Sequence, residues 1–420
     1  MRTEYVLEER KLGRLLFAAG FLVYMSSYVG RTNFSAALAA MVAESVLTKS
    51  QGGLIGSVFF FAYGACQVLW GFVGDRVSPF RMIGAGMLMA SCANLVMPFC
   101  TGSYALMAVV WGINGISQSM LWSPILRIFS GVLPKSMRAK ACLNISASIP
   151  AGTILTYLLA TAVIRYSDWR YVFTFAGVVL ALVLVFFAAV YMKIRPALHI
   201  QKVSLSTRAG DDAHASSVKL LPLFVTSGLI FATVPTVLHG ALKEGITVWV
   251  PTMLSECYPL STSFSVFLTL ALPLINLTGV YIITPVYKRL MKKNELSTAA
   301  VCLLFSVPLL LLLTFMSKLP AVVSVILMGS VTTAMHAYNY MLITLVPVRF
   351  SSLGKTASVT GILNACAYAG CALSSYGFGA VAENTSWRIT VFLWLIIAAS
   401  GGVICLILSK KWRSFCNERI

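Results

Sequence analysis

Apolar and polar positions in this chain do not alternate residue by residue. They separate into long apolar blocks divided by short polar or charged gaps. A helix rising 1.5 Å per residue needs about 20 residues to cross a hydrocarbon core roughly 30 Å thick, so block length predicts membrane-spanning helices. Twelve follow, over 13–40, 52–74, 82–100, 104–130, 139–163 and 170–192, then 220–254, 263–287, 298–317, 320–346, 355–381 and 388–409. The longest polar gap contains a run, Ser206 to Ser217, too small and polar to bury a core. The expected organisation is a six-helix bundle over 1–192, a cytoplasmic central loop over 193–219, and a second bundle over 220–420. The fold class is an all-α polytopic membrane protein with two pseudo-symmetric halves.

Composition agrees. Apolar residues make up 58% of the chain and charged residues 11%, against about 25% charged in soluble domains. The net charge of +19 raises nucleic acid as a partner, but no finger, helix-turn-helix or RNP-like signature is present. The basic residues instead fall in alternate gaps. With the N-terminus inside, 24 lysines and arginines lie in inner segments and five in outer ones (Lys49, Arg165, Arg170, Lys318, Arg388). This positive-inside pattern places both termini in the cytoplasm. The ten cysteines show no metal-ligand spacing, and most sit within apolar runs as small hydrophobes. No cleavage-site pattern follows the first apolar run, so it is expected to be retained.

Two cations interrupt the apolar pattern. Arg31 is the one charged residue between Leu15 and Met41, and Lys243 lies within Ala241 to Trp249. An arginine at membrane depth costs from about 2.5 to over 10 kcal/mol, so such residues mark functional sites by default. The two halves also repeat. Asp75-Arg76 corresponds to Lys288-Arg289, Asp168-Trp169-Arg170 to Ser386-Trp387-Arg388, and Arg138-Ala-Lys140 to Lys355-Thr-Ala. These offsets lie between 212 and 218, as in a parallel repeat of two transporter halves, and they make Arg31 and Lys243 repeat mates.

Several motifs resemble a known family. Gly71-x-x-x-Asp75-Arg76-x-x-x-x-Arg81 is similar to the loop between helices 2 and 3 of the major facilitator superfamily. Tyr24-x-x-x-Tyr28-x-x-Arg31-x-Asn33-Phe34 resembles helix 1 of its organophosphate:phosphate antiporters, such as the bacterial glycerol-3-phosphate transporter. Asn114-Gly115-x-x-Gln118-x-x-x-Trp122-x-Pro124 looks like that family's helix 4, and Leu242-Lys243-x-Gly245-x-x-x-Trp249-x-Pro251 like its helix 7, with lysine in place of arginine. The resemblance implies that Arg31 and Lys243 clamp a substrate phosphate, while Tyr24, Tyr28, Tyr63, Gln118, Trp122 and Tyr368 line the path. It departs where the family's helix 2 lysine falls on Gln67, its helix 5 histidine on Ala147 and its helix 5 tryptophan on Leu143, and where Glu244 stands beside Lys243. The pocket is therefore less positive than the family's.

Each residue also has a structural reading. Arg31 could bond helix carbonyls or snorkel outward, and Lys243 could pair with Glu244, although adjacent helical residues point about 100° apart. Tyr24, Tyr28 and Arg31 form one stripe at helical spacing, which ordinary aromatic packing would also produce. Asp75, Arg76 and Arg81 read as a conformational latch at helix ends. His239 and His336 lie in apolar segments, as proton carriers or as satisfied core residues. The function implied is a monomeric carrier in the bacterial inner membrane that moves a small organic anion, phosphate esters among the candidates, with phosphate or a proton as coupling species. It needs no metal or cofactor, and no catalytic motif is present. A proton-coupled carrier or exporter of a different compound, and a non-transporting sensor of phosphate esters, remain as alternatives.

The charge distribution places Ser103 and Ser386 outside. Cysteines introduced there should react with an impermeant thiol reagent on intact cells; labelling only after permeabilisation would contradict the twelve-helix map.

Overall fold

The computed structural model describes residues 2–73, 77–203, 220–350 and 355–419. All twelve expected segments are helical. In the first half, α1 is Arg10–Ala43, α2 Lys49–Val73 and α3 Pro79–Val96. Helix α4 runs over Tyr104–Ser119 and resumes over Trp122–Arg127, α5 is Ser148–Tyr166 led in by Lys135–Asn144, and α6 is Arg170–Ile194. In the second half, α7 is Leu229–Cys257, and α8 is assembled from Thr262–Leu268, Ala271–Asn276 and Gly279–Pro285. Then come α9 at Glu295–Leu313, α10 at Ala321–Asn339, α11 at Thr356–Asn384 and α12 at Trp387–Arg419.

Among the described residues, nine helical segments combine the length and hydropathy needed to cross a membrane. The other three have visible reasons to fall short. Helix α4 is interrupted after Ser119, α7 carries Lys243, Glu244 and Glu256 besides two internal prolines, and α11 is rich in glycine, alanine and serine.

The chain forms two compact units. The first comprises Met1–Leu47, Val58–Ser206 and Thr262–Phe267; the second comprises Thr48–Ser57, Thr207–Ser261 and Leu268–Ile420. Within the first, α1 packs on α5 and α6, and α3 packs on α4 and α6. Leu16, Ile83, Met87, Leu121, Ile125, Phe129 and Leu180 fill the space between them, each at most 1% exposed. Within the second, α7 packs on α11 and α12, and α9 on α10 and α12.

One feature differs from the sequence expectation. The start of the expected central loop is ordered: His199–Val203 forms a strand (β2) antiparallel to Arg2–Val6 (β1), with Glu4 opposite Gln201. Leu7, just after β1, is fully buried, and its N–H donates to the Val132 carbonyl at 2.8 Å. Five residues without a turn signal look like linker, and only a partner nearly 200 residues away satisfies their backbone groups.

The repeat is visible in atomic detail. A Cβ on Gly152 in α5 would lie 2.3 Å from the Met25 carbonyl oxygen of α1; a Cβ on Gly370 in α11 would lie 2.0 Å from that of Val237 in α7. Each glycine sits 218 positions from its mate and each carbonyl 212. Both halves therefore bring their first and fifth helices to backbone contact through one missing side chain, the packing that small residues permit between membrane helices. The helix ends match too. Trp169 Nε1 donates to Glu44 at 3.0 Å, and Trp387 Nε1 to Glu256 at 2.8 Å. Single π-helical turns follow α4 at Ile128–Val132 and α10 at Tyr340–Leu345.

The second half holds a buried carboxylate at one end. Glu295, at the start of α9, is 1% exposed and gathers Arg349 (2.9 Å), the Tyr287 hydroxyl (2.6 Å) and Trp412 Nε1 (2.9 Å). A buried carboxylate needs this many partners to offset its desolvation.

Replacing Gly370 by leucine should separate α7 from α11 and destabilise the fold by roughly 1–3 kcal/mol or more. The expected observation is a lower unfolding temperature in detergent, whereas the same change at Gly84, whose Cβ meets nothing within 4 Å, should leave it unaltered.

Candidate functional site

In the first unit, the expected helix 1 stripe gathers around Arg31. Four ring centroids surround its guanidinium carbon: Tyr63 at 5.1 Å, and Tyr28, Phe59 and Phe60 at 5.5 Å each. Tyr28 lies one turn before Arg31 on α1; the other three come from α2, where Phe59 and Tyr63 share one face and stack at 6.2 Å. Each cation–π contact contributes about 0.5–2 kcal/mol, more as water is excluded. Phe59, Phe60 and Tyr63 are at most 5% exposed, while Arg31 itself is half-buried. Charge-assisted bonds to a cation strengthen as the surroundings become less polar. The aromatic wall continues: Tyr24 meets Tyr28 edge-on at 5.6 Å and Trp122 at 4.6 Å.

Gln118 is bonded to a neighbouring amide. It is 3% exposed, and its amide N–H donates to the Asn114 side-chain oxygen at 3.4 Å. It thus belongs to an interior amide cluster between α1, α3 and α4.

In the second unit, Lys243 occupies the middle of α7. Its ammonium lies 3.9 Å from the Glu244 carboxylate, at the outer limit of an ion pair, with the two side chains 26% and 13% exposed. Neighbouring helical positions splay apart, so the contact is long. Tyr368 in α11 is half-buried. His239, one turn before Lys243, is 1% exposed, stacks on Tyr338 at 4.5 Å and has its Nε2 3.0 Å from the Met335 carbonyl. His336 is half-buried on α10. Of the expected latch, Arg81 is exposed in the first turn of α3; Asp75 and Arg76 lie outside the described residues.

Several residues escaped sequence reasoning. Phe59 and Phe60 belong to an aromatic run, but nothing in that run showed which rings face Arg31. At the end of α7, Glu256 accepts from Lys49 at 2.8 Å as well as from Trp387, and Lys49 lies 5.8 Å from the Trp387 ring centroid. The Ser50 N–H donates to Glu383 at 2.6 Å, and Ser57 Oγ donates to the Ala372 carbonyl while accepting from the Tyr376 N–H. The first ten residues of α2 are thereby tied to α7, α11 and α12 within the second unit. The repeat offsets contained the signal, since Glu44 and Glu256 are 212 positions apart.

A helical fold of two repeated halves with intramembrane cations defines the class as a polytopic membrane protein of the facilitator type. Residues 20–375 match the profile of the Major Facilitator Superfamily, and the chain belongs to that superfamily. Among curated relatives, a probable hexose phosphate transport protein of Chlamydia pneumoniae is 30% identical over 168 residues, 40% of this chain and 37% of the relative. The glycerol-3-phosphate transporter of Bacillus subtilis is 27% identical over 40% of this chain and 39% of its own. The membrane sensor protein UhpC of Escherichia coli is 29% identical over 37% of this chain and 36% of its own. The chain spans under two fifths of the length of these relatives. Among solved structures, a bacterial homologue of the lysosomal transporter Spinster superposes with a TM-score of 0.76 at 12% identity, covering 97% of this chain and 98% of that one. The nucleoside transporter NupG gives 0.72 at 16% identity, over 96% and 99%. At such identities the likeness concerns the fold.

Proposed function

We propose that the protein is a secondary active transporter that moves a small organic anion, a phosphate ester such as glycerol-3-phosphate or a sugar phosphate, by alternating access. The observation that carries this reading is the guanidinium of Arg31 held among four aromatic rings. An arginine within a membrane-spanning helix is costly and marks a functional site by default, and the rings hold its guanidinium in place for an anion. Lys243 supplies the second anchor from its repeat position. Tyr24, Tyr28, Tyr63, Gln118, Trp122 and Tyr368 line the path, and Asp75, Arg76 and Arg81 serve as a latch. The relatives named for hexose phosphate and glycerol-3-phosphate support the same substrate class. The protein acts as a monomer with both termini in the cytoplasm.

Uptake of labelled glycerol-3-phosphate and glucose-6-phosphate into proteoliposomes tests this. Arg31→Ala and Lys243→Ala should each lower the rate roughly tenfold to hundredfold, what losing one charge-assisted hydrogen bond implies. Lys243→Arg should be tolerated better than Arg31→Lys, because a point charge does not replace a planar fork. Normal uptake by Arg31→Ala would refute the reading. Specific binding without flux would favour the second reading, a sensor, which the likeness to UhpC supports.

Glu244 decides the coupling. A carboxylate 3.9 Å from the anchoring ammonium lowers the local positive potential. Its protonation would strengthen anion binding, the reciprocal linkage of a proton symporter. Uptake should therefore rise with an inward proton gradient in the wild type and lose that response in Glu244→Gln. Obligatory exchange with phosphate, indifferent to the gradient, would make Glu244 structural.

A further inference from the structure

Beside Arg31 lies a second arrangement whose role the cation does not explain. The carbonyl of Gly30, the oxygen of the peptide that joins Gly30 to Arg31, accepts from two side-chain amides. Asn114 Nδ2 of α4 lies 2.8 Å away and Asn94 Nδ2 of α3 lies 3.2 Å away. The second donor of Asn94 goes to the Ala90 carbonyl at 2.9 Å, and its side-chain oxygen accepts from Asn33 Nδ2 at 2.7 Å. Gln118 holds the Asn114 oxygen from one turn away. Asn33, Asn94 and Asn114 are fully buried. The site is crowded as well: a Cβ on Gly30 would sit 2.5 Å from Leu180 and 3.1 Å from Asn94 Nδ2.

Three helices thus converge on the one peptide unit that carries Arg31. One residue along a helix is 1.5 Å of rise and 100° of rotation. Any slip or roll of α1 would carry the Gly30 carbonyl away from both donors and turn the guanidinium out of its ring nest. If gluing helices together were their whole task, buried amides could bond across any facing pair. Here they select the backbone atom next to the charged side chain.

We propose that Asn94 and Asn114 are positioning residues for anion binding. They lock the register and rotation of α1 at the Gly30–Arg31 peptide, so that the guanidinium meets its ligand in a fixed orientation. A supporting shell of this kind holds a binding group to within about 0.5 Å. The inference rests on Arg31 being an anion anchor, as proposed above, and adds residues that do not touch the anion.

The test uses full-length Asn94→Leu and Asn114→Leu, near-isosteric changes that remove the donors, beside wild type and Arg31→Ala. Three quantities are read. One is the unfolding temperature, and another the dissociation constant for glycerol-3-phosphate. The third is the rate at which phenylglyoxal modifies Arg31, followed by peptide mass spectrometry with exposed Arg81 as internal reference. With positioning, the leucine variants modify at Arg31 at least about threefold faster and bind about fivefold more weakly, as the loss of one such bond would produce. Asn114→Gln, which keeps a donor one methylene further out, recovers part of both effects without a change in unfolding temperature. A purely structural role predicts a lower unfolding temperature with Arg31 reactivity and affinity unchanged, and that result overturns the inference. Should the leucine variants fail to fold, Asn94→Ala and Asn114→Ala, which also remove the donors, take their place, and wild-type Arg31 reactivity and affinity in them is again the overturning result. Absence of glycerol-3-phosphate binding in the wild type would sink the substrate reading instead, leaving Arg31 reactivity to judge the amides.

Discussion

The first half of the chain is arranged around one guanidinium set among aromatic rings inside a membrane-spanning helix. A membrane interior offers Arg31 little solvation, and hydrocarbon neighbours would leave the charge nearly bare. Four ring faces lend it their negative quadrupoles at 5.1–5.5 Å. That supply is partial, since rings replace water only incompletely.

The helices that carry Arg31 and its rings are each packed closely against a neighbour. Gly152 lets α5 come against the Met25 carbonyl, and Gly115 lets α4 come against that of Phe59, a Cβ there falling 2.5 Å away. Small residues at crossings and large rings beside them are complementary choices. The same solution recurs where Gly370 meets Val237. Lipid gives helices no hydrophobic reason to associate, so van der Waals contact at these crossings and a few polar ties do the work.

The two halves share this frame and differ in what it holds. Helix α1 has no internal proline and is tied at Gly30 by buried amides. Helix α7 contains Pro235 and Pro251, starts after Gly228 in a left-handed conformation (φ +79), and carries a lysine with a carboxylate beside it. Proline removes a backbone bond and allows bending. The arginine thus sits on a helix without proline, and the lysine on one with two.

What the sequence determined by itself was whatever a single helix or gap decides alone. Apolar block length marked twelve spans, and offsets of 212–218 exposed the repeat and paired Arg31 with Lys243. The stripe of Tyr24, Tyr28 and Arg31 was legible because one helix places those positions on one face. Contacts between elements were not, because they depend on how each helix is rotated about its axis. Only the tertiary structure put Phe59 and Phe60 beside Arg31, turned Gln118 inward, paired Arg2–Val6 with His199–Val203, and gathered Tyr287, Arg349 and Trp412 on Glu295. Hydrophobic patterning tells which face of a helix avoids water; inside a membrane nearly every face does, so packing geometry and the need to satisfy each buried polar group make the remaining choices.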